Sequence, residues 1–445
     1  MDRNLDMTKG SPLKLLLLFS IPLMFGNVFQ QLYTVIDTAI VGQGVGLEAL
    51  AALGTVDWLN WMFVGMAQGF TQGFGVRVSQ FYGKKNFERL KEYVGQSLSL
   101  SILIGILFTI IAHVCLPLFL KLLRVPSELI SMATLYIRII FSGFLIVMLF
   151  NYFASVLRGI GDSKTPLQAM LIASVVNIIL DILFVFSFKW GISGAAIATL
   201  IAQVISCFIC ALKVMNTKEV CIDISYMKSI SLYDDLITLS TPMALKNVII
   251  ALGGIYVQSV ANGFDLSFIA GYTATNKLFG ILEMAAGAYG FAITTYVGQN
   301  YGANERNRIK EGMKSSVLLS FITSLVISLI MILFGKNIVL LFISSDTIEL
   351  MNLAMNYAYT FLTIMSIFLP FLYLLYAYQA ALQGLGNTKI SIMTGLIELS
   401  IRLCIATYAG YMFMETGIFF AEVLAWVGSF IYLSITYYKT VKNSL

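Results

Sequence analysis

Twelve mostly apolar runs divide the chain, at roughly 13–36, 50–73, 94–118, 132–155, 166–187, 191–213, 237–261, 270–296, 316–342, 353–381, 389–411 and 417–438. Each holds about 20 or more residues, enough for an α-helix to cross the hydrocarbon core of a bilayer. Backbone groups in hydrocarbon must bond one another, so the runs predict twelve membrane-spanning helices joined by short polar loops. One run breaks the pattern: Ala173–Phe186 is apolar except for Asn177 and Asp181 and a single serine. Four residues apart, amide and carboxylate lie on one helical face. A charged group within a span is costly, faces protein or a water-filled cavity, and by default marks an ion or substrate path.

Composition agrees. The chain is 58% hydrophobic and 11% charged, with a mean hydropathy of +0.86, against roughly 45–50% and 25% in soluble proteins. A net charge of +5 does not point to nucleic acid, because the basic residues fall in short loops where they set topology. The N-terminus and the even-numbered loops, such as Arg77/Lys84/Lys85/Arg89/Lys91 and Arg306/Arg308/Lys310/Lys314, hold most of them. The positive-inside rule then places both termini in the cytoplasm of a multi-pass cell-membrane protein. The first 14 residues lack a secretory cleavage pattern, so the first run is expected to remain as a span. Five cysteines, four of them in apolar runs, give no disulfide framework. Cys207 and Cys210 read as packing residues, and His113 as a buried, hydrogen-bonded histidine.

The two halves repeat. Ser20-Ile21-Pro22 with Asn27-Val28 recurs as Ser240-Thr241-Pro242 with Asn247-Val248, and Gln80-Phe81-Tyr82-Gly83 recurs as Gln299-Asn300-Tyr301-Gly302. Arg158-Gly159-Ile160-Gly161-Asp162-Ser163-Lys164 likewise matches Gln383-Gly384-Leu385-Gly386-Asn387-Thr388-Lys389. An even number of spans separates the copies, so the halves share an orientation, a recurring transporter plan. The predicted fold is all-α: two pseudo-symmetric six-helix bundles, an N-terminal lobe at 1–215 and a C-terminal lobe at 236–445. A cytoplasmic linker at 216–235 joins them. Pro22 and Pro242 kink the first helix of each half, as hinges or simply as structural bends. The Gly159-x-Gly161 loop lacks the spacing of a phosphate cradle, so nothing reads as an ATPase.

The acids in or beside spans are few: Asp37, Asp57, Asp181, Glu283, Glu398 and Glu422. Asp37 ends the first run and could be solvated there. If it instead faces Asp181, the two carboxylates repel when both are ionised, and a proton or a cation must be shared between them. Asn177 and Thr199, the latter on a helix of small residues, add hard oxygen ligands that suit H⁺ or Na⁺. Thr199 could instead bond its own backbone. In the second half, Glu398 and Arg402 are spaced i, i+4 and predict a buried ion pair with Glu422 nearby. Glu283 has only Lys277 or Lys246 as basic neighbours and is a candidate for attracting cationic substrates. Tyr33, Trp61, Met66, Met284 and Tyr289 are candidate pocket residues, since aromatics and methionines adapt to varied shapes. Lipid-facing positions are rich in the same residues.

Taken together, Pro22, Val35-Ile36-Asp37-Thr38-Ala39-Ile40-Val41-Gly42, Gln80-Phe81-Tyr82-Gly83, Leu157 to Pro166 and Gly191 to Thr199 resemble the multidrug and toxic compound extrusion (MATE) family over essentially the whole chain. The resemblance implies twelve helices in two lobes, alternating access, and antiport of organic cations against H⁺ or Na⁺; the residues themselves offer no nucleophile–base pair or metal cluster, so neither a cofactor nor enzymatic chemistry is expected. Prokaryotic relatives carry an Asp in helix one, an Asn and an Asp four apart in helix five, and a Thr in helix six; here these match Asp37, Asn177, Asp181 and Thr199. Relatives that couple through the second lobe use a Glu in helix seven and an Asp in helix ten. This chain has no acid at 237–261 or 350–397, so that role is not carried over. The expected protein is a monomer in the bilayer that takes small organic cations; the alternative is a lipid-linked precursor flippase of the same superfamily, which would call for more helices and a basic cavity.

Overall fold

The computed structural model describes residues 5–123, 125–340, 348–412 and 414–444; Arg3, one of the N-terminal basic residues, lies outside them. Helix follows helix: α1 (Pro12–Gly44), α2 (Leu47–Gly83), α3 (Phe87–Leu122), α4 (Ser127–Ser142), α5 (Phe144–Gly159), α6 (Lys164–Asp181), α7 (Ile192–Met215), the short α8 (Ile224–Met227), α9 (Tyr233–Ala261), α10 (Leu266–Gly302), α11 (Arg306–Val339), α12 (Ile348–Gly384), α13 (Ile390–Tyr411) and α14 (Glu415–Ser444). No strand occurs among the described residues. Ten helices are long and apolar enough to cross a membrane, and α4 with α5, bent by 45° at Gly143, makes an eleventh. Helix α2 spans 37 residues but is more polar, carrying Asp57, Asn60, Gln68 and Gln72 along its length. As far as the described residues reach, the twelve apolar runs fall on these helices and the turn that follows α6.

The helices pack as two units. One comprises Ile21–Ala244 and Gly298–Asn304 with the segment ending at Lys9; the other comprises Gly10–Ser20, Leu245–Val297 and Glu305–Leu445. Helices α1 and α9 each contribute to both, and the change falls beside Pro22 in α1 and just after Pro242 in α9. In the first unit α2 packs on α5 and α3, and α7 on α5 and α6. Phe63 is its aromatic centre, 4.6 Å from Phe141 and 5.7 Å from Phe144, ring to ring. In the second unit α12 packs on α11 and α14, and α13 on α14. Its rings stack in series, Tyr272 on Phe361 at 5.1 Å and Phe361 on Phe419 at 4.7 Å. Offset rings of this kind add to the dispersion energy of close packing.

The repeated motifs are structural. Gly161 has φ +90°, a conformation that side chains other than glycine disfavour, and a Cβ there would lie 2.1 Å from the Leu5 carbonyl oxygen. The next residue, Asp162, caps α6: its carboxylate accepts from the Lys164 and Thr165 amides at 3.1 and 2.9 Å and from the Thr165 hydroxyl at 2.6 Å. Such a cap satisfies amides that the first helical turn leaves unpaired. Within the first unit Gly83 and Gly302 make a reciprocal contact. A Cβ on Gly83 would lie 1.9 Å from the Gln299 carbonyl oxygen, and one on Gly302 1.8 Å from that of Gln80. Alanine should gain about 1 kcal/mol of helix propensity, but overpacking against rigid backbone costs about 1–3 kcal/mol or more. Gly302→Ala is therefore expected to lower the melting temperature of the purified protein; a variant that melts at or above the wild type would show that the helices can separate freely.

Residues 216–235 lie along the first unit. Gln96 of α3 accepts the Leu232 amide at 2.8 Å, and Arg77 of α2 bonds Asp235 through two nitrogens at 2.5 and 2.7 Å. On the exposed α8, the Ser225 hydroxyl and amide donate to Asp223 at 2.7 and 2.8 Å, which holds that carboxylate below its usual pKa. Cys210 is buried and Cys207 half-buried, both free. His113 is half-buried, with Nδ1 2.8 Å from the Thr109 carbonyl oxygen.

Candidate functional site

Asp37, Val41 and Gly44 share one face of α1, and that face meets the end of α6. Directly after Asp181 the chain widens into a π-helical turn, Ile182–Ser187. Such turns insert an extra residue into the helix and are frequent at functional sites. The turn is tightly held: a Cβ on Gly44 would lie 2.5 Å from Val185 Cγ1, and one on Gly194 of α7 would lie 3.0 Å from Phe184 Cβ. Locked in this way, Asp37 and Asp181 come within hydrogen-bonding reach of each other. Asp181 is 0% exposed and Asn177 1%.

No basic group among the described residues pairs with either acid. Both oxygens of Asp181, Oδ1 of Asp37 and both polar atoms of Asn177 are buried without a hydrogen-bond donor or acceptor that fits. The near contact and the missing bond are consistent, because two ionised carboxylates are acceptors only and cannot bond one another. A proton shared between them, or a monovalent cation held by them with the Asn177 oxygen, would satisfy the set; the donor types suit either. Tyr33 lies within electrostatic range of both acids.

A small crevice opens beside this pair within the first unit. It is lined by Tyr33, Asn177 and Thr199, and by Gln30, Gln203 and Ser206. Sequence reasoning missed several of these neighbours. Thr199, Gln203 and Ser206 form a polar stripe at i, i+4, i+7 along α7, a signal that counting the helical period would have found. Tyr136 of α4, within electrostatic range of Asp37, carried no local signal, and Asp57 of α2, also within that range, stood among the intramembrane acids without an assigned role.

The remaining candidates are placed elsewhere. Trp61 is 46% exposed and meets Trp58 edge-on at 6.0 Å; Met66 on the same helix is half-buried. In the second unit, Met284 is half-buried, and Tyr289 is buried with its hydroxyl 2.8 Å from that of Thr323. The carboxylate of Glu283 accepts the Tyr376 hydroxyl. Arg402 bonds Glu422 through two nitrogens, the closest approach 2.7 Å, and reaches Glu398 at 3.2 Å. Gly253 of α9 makes room for this arginine: a Cβ there would lie 3.2 Å from Arg402 Cδ.

The family model described as MatE matches residues 22–183 and 242–408, most of both halves of the chain. The chain belongs to the MatE family. It is 28% identical over 351 residues, 76% of its own length and 75% of the other, to the Bacillus subtilis protein named "Probable multidrug resistance protein YoeA". To the Staphylococcus aureus protein named "Multidrug export protein MepA" it is 22% identical over 427 residues, 95% and 94% of the two chains. Among solved structures, an outward-facing multidrug resistance MATE family transporter of the MOP superfamily superposes over 100% of both chains with a TM-score of 0.88 at 22% identity. A MOP superfamily transporter from Pyrococcus furiosus matches over 99% of both chains with the same score and identity. MatE members are transporters, so this chain is a multi-span membrane transporter of small molecules that needs no cofactor and is not an enzyme.

Proposed function

We propose that this MatE transporter is a multidrug antiporter of the cell membrane. It exports amphipathic organic cations in exchange for H⁺ or Na⁺ and couples the two through Asp37, Asn177, Asp181 and Thr199. The observation that carries the reading is the Asp37–Asp181 pair: two acids in mutual reach, buried, without a basic partner. Buried charge of this kind is costly unless neutralised, so an entering H⁺ or Na⁺ has a strong reason to bind there and a substrate cation a reason to displace it. The names of the multidrug resistance and export relatives support efflux, and they do not favour the flippase alternative. The crevice lined by Tyr33, Asn177 and Thr199 supports a polar path leading toward the acids. Lys and Arg in the even-numbered loops support cytoplasmic termini.

The test is ethidium efflux from proteoliposomes under an imposed ΔpH and, separately, an imposed ΔNa⁺. One of the two gradients is expected to drive efflux. If neither does, the antiport reading fails.

A further inference from the structure

The second unit holds an ammonium that the coupling pair does not use. Lys246 of α9 is 7% exposed. Its Nζ donates to Gln379 Oε1 at 2.6 Å and stands 5.8 Å from the centre of the Tyr376 ring. No carboxylate oxygen among the described residues lies within 4.0 Å of it. Every acid nearby is otherwise engaged: Glu398 and Glu422 bond Arg402, and Glu283 takes the Tyr376 hydroxyl. The lysine stem lies along α13, where a Cβ on Gly395 would meet Lys246 Cγ at 3.4 Å and Ile249 at 3.5 Å. An ammonium offers three donors, and a buried one served by a single neutral amide is far from satisfied.

Glu283 is the complementary half. It is only partly buried, and one turn along α10 the space is open: a Cβ on Gly287 would meet nothing within 4 Å. Tyr376 stands between the two charges, bonding Glu283 through its hydroxyl and facing Lys246 with its ring. The result is a fixed positive group and a fixed negative group, too far apart to bond each other, on either side of an aromatic surface beside open space.

We propose that Lys246 and Glu283 form a bipolar site for zwitterionic organic molecules, Lys246 taking the substrate's carboxylate and Glu283 its cationic group. The proposal rests on the transport reading and names a substrate class for it. Charge-assisted bonds are about twice as strong as neutral ones, so a molecule that meets both groups gains over one that meets only Glu283.

Rhodamine B, a zwitterion at neutral pH, and its ethyl ester, a cation of nearly the same shape, separate the two contributions. Binding of each to the full-length protein in lipid nanodiscs is read by fluorescence polarisation. The wild type is expected to bind rhodamine B about tenfold more tightly than the ester. Lys246→Met should remove that preference by weakening rhodamine B alone, Lys246→Arg should keep it, and Glu283→Gln should weaken both dyes. Equal binding of the two dyes by the wild type overturns the proposal, and so does an equal loss of both in Lys246→Met. Ethidium efflux by the same purified protein in proteoliposomes distinguishes the two ways of failing. Without efflux the transport reading itself falls; with efflux but no discrimination between the dyes, only the bipolar site does.

Discussion

Asp181→Asn is expected to abolish gradient-driven efflux while leaving the protein folded. Asparagine keeps the size and polarity of the side chain but cannot exchange a charge, so the ion loses its reason to bind. One charge crossing about 100 mV supplies about 2.3 kcal/mol, roughly a 50-fold concentration ratio. Loss of one coupled charge should collapse ethidium accumulation by about that factor. Stability should move the other way. Asp181 is wholly buried with neither oxygen bonded, and replacing an unpartnered carboxylate by a neutral amide removes a burial cost. The variant should therefore melt at or above the wild-type temperature. Efflux at the wild-type rate in Asp181→Asn, under whichever gradient drives the wild type, would remove Asp181 from the mechanism; the same measurement on Asp37→Asn tests its partner.

Arg402→Met should have the largest effect on stability. Arg402 is 4% exposed and holds Glu398 and Glu422 together. Methionine fills much of the same volume, yet it leaves the buried carboxylate of Glu398 and the half-buried one of Glu422 without a cation. Breaking a buried ion pair from one side costs about 3–5 kcal/mol, whereas replacing all its members by neutral groups is often close to harmless. The triple variant Arg402→Met/Glu398→Gln/Glu422→Gln should thus recover most of the loss. Thermal melting of the two purified proteins decides it. If Arg402→Met melts with the wild type, the triad is not a stabilising unit.

These two opposite expectations for buried acids come from contacts that no local pattern contains. The helices were readable because hydrocarbon admits only self-bonded backbone, which forces long apolar runs. Helix α2 shows the limit of that signal, since it keeps its length while carrying Asp57 and Gln68 at exposed positions. The repeat was readable as matched motifs; that Gly83 and Gly302 meet each other's strand of backbone, and that Asp162 caps α6, needed coordinates. Asn177 and Asp181 could be set on one face because the helical period is local, and Glu398 and Arg402 could be paired for the same reason.

What the sequence alone determined is therefore what lies within a few helical turns: the spans, the repeat, the face of α6 that carries amide and acid, the i, i+4 ion pair of α13 and the family. The tertiary structure decided which distant groups meet. It brought Asp37 to Asp181 across the π-helical turn, placed Tyr136 near both, gave Glu422 to Arg402 and left Lys246 without a carboxylate. Helical periodicity fixes direction around one axis, but the distance between two helices depends on side-chain volumes summed over every layer between them. That sum is a property of the packed molecule, and so is the difference between an acid that stabilises the fold and one that is free to exchange an ion.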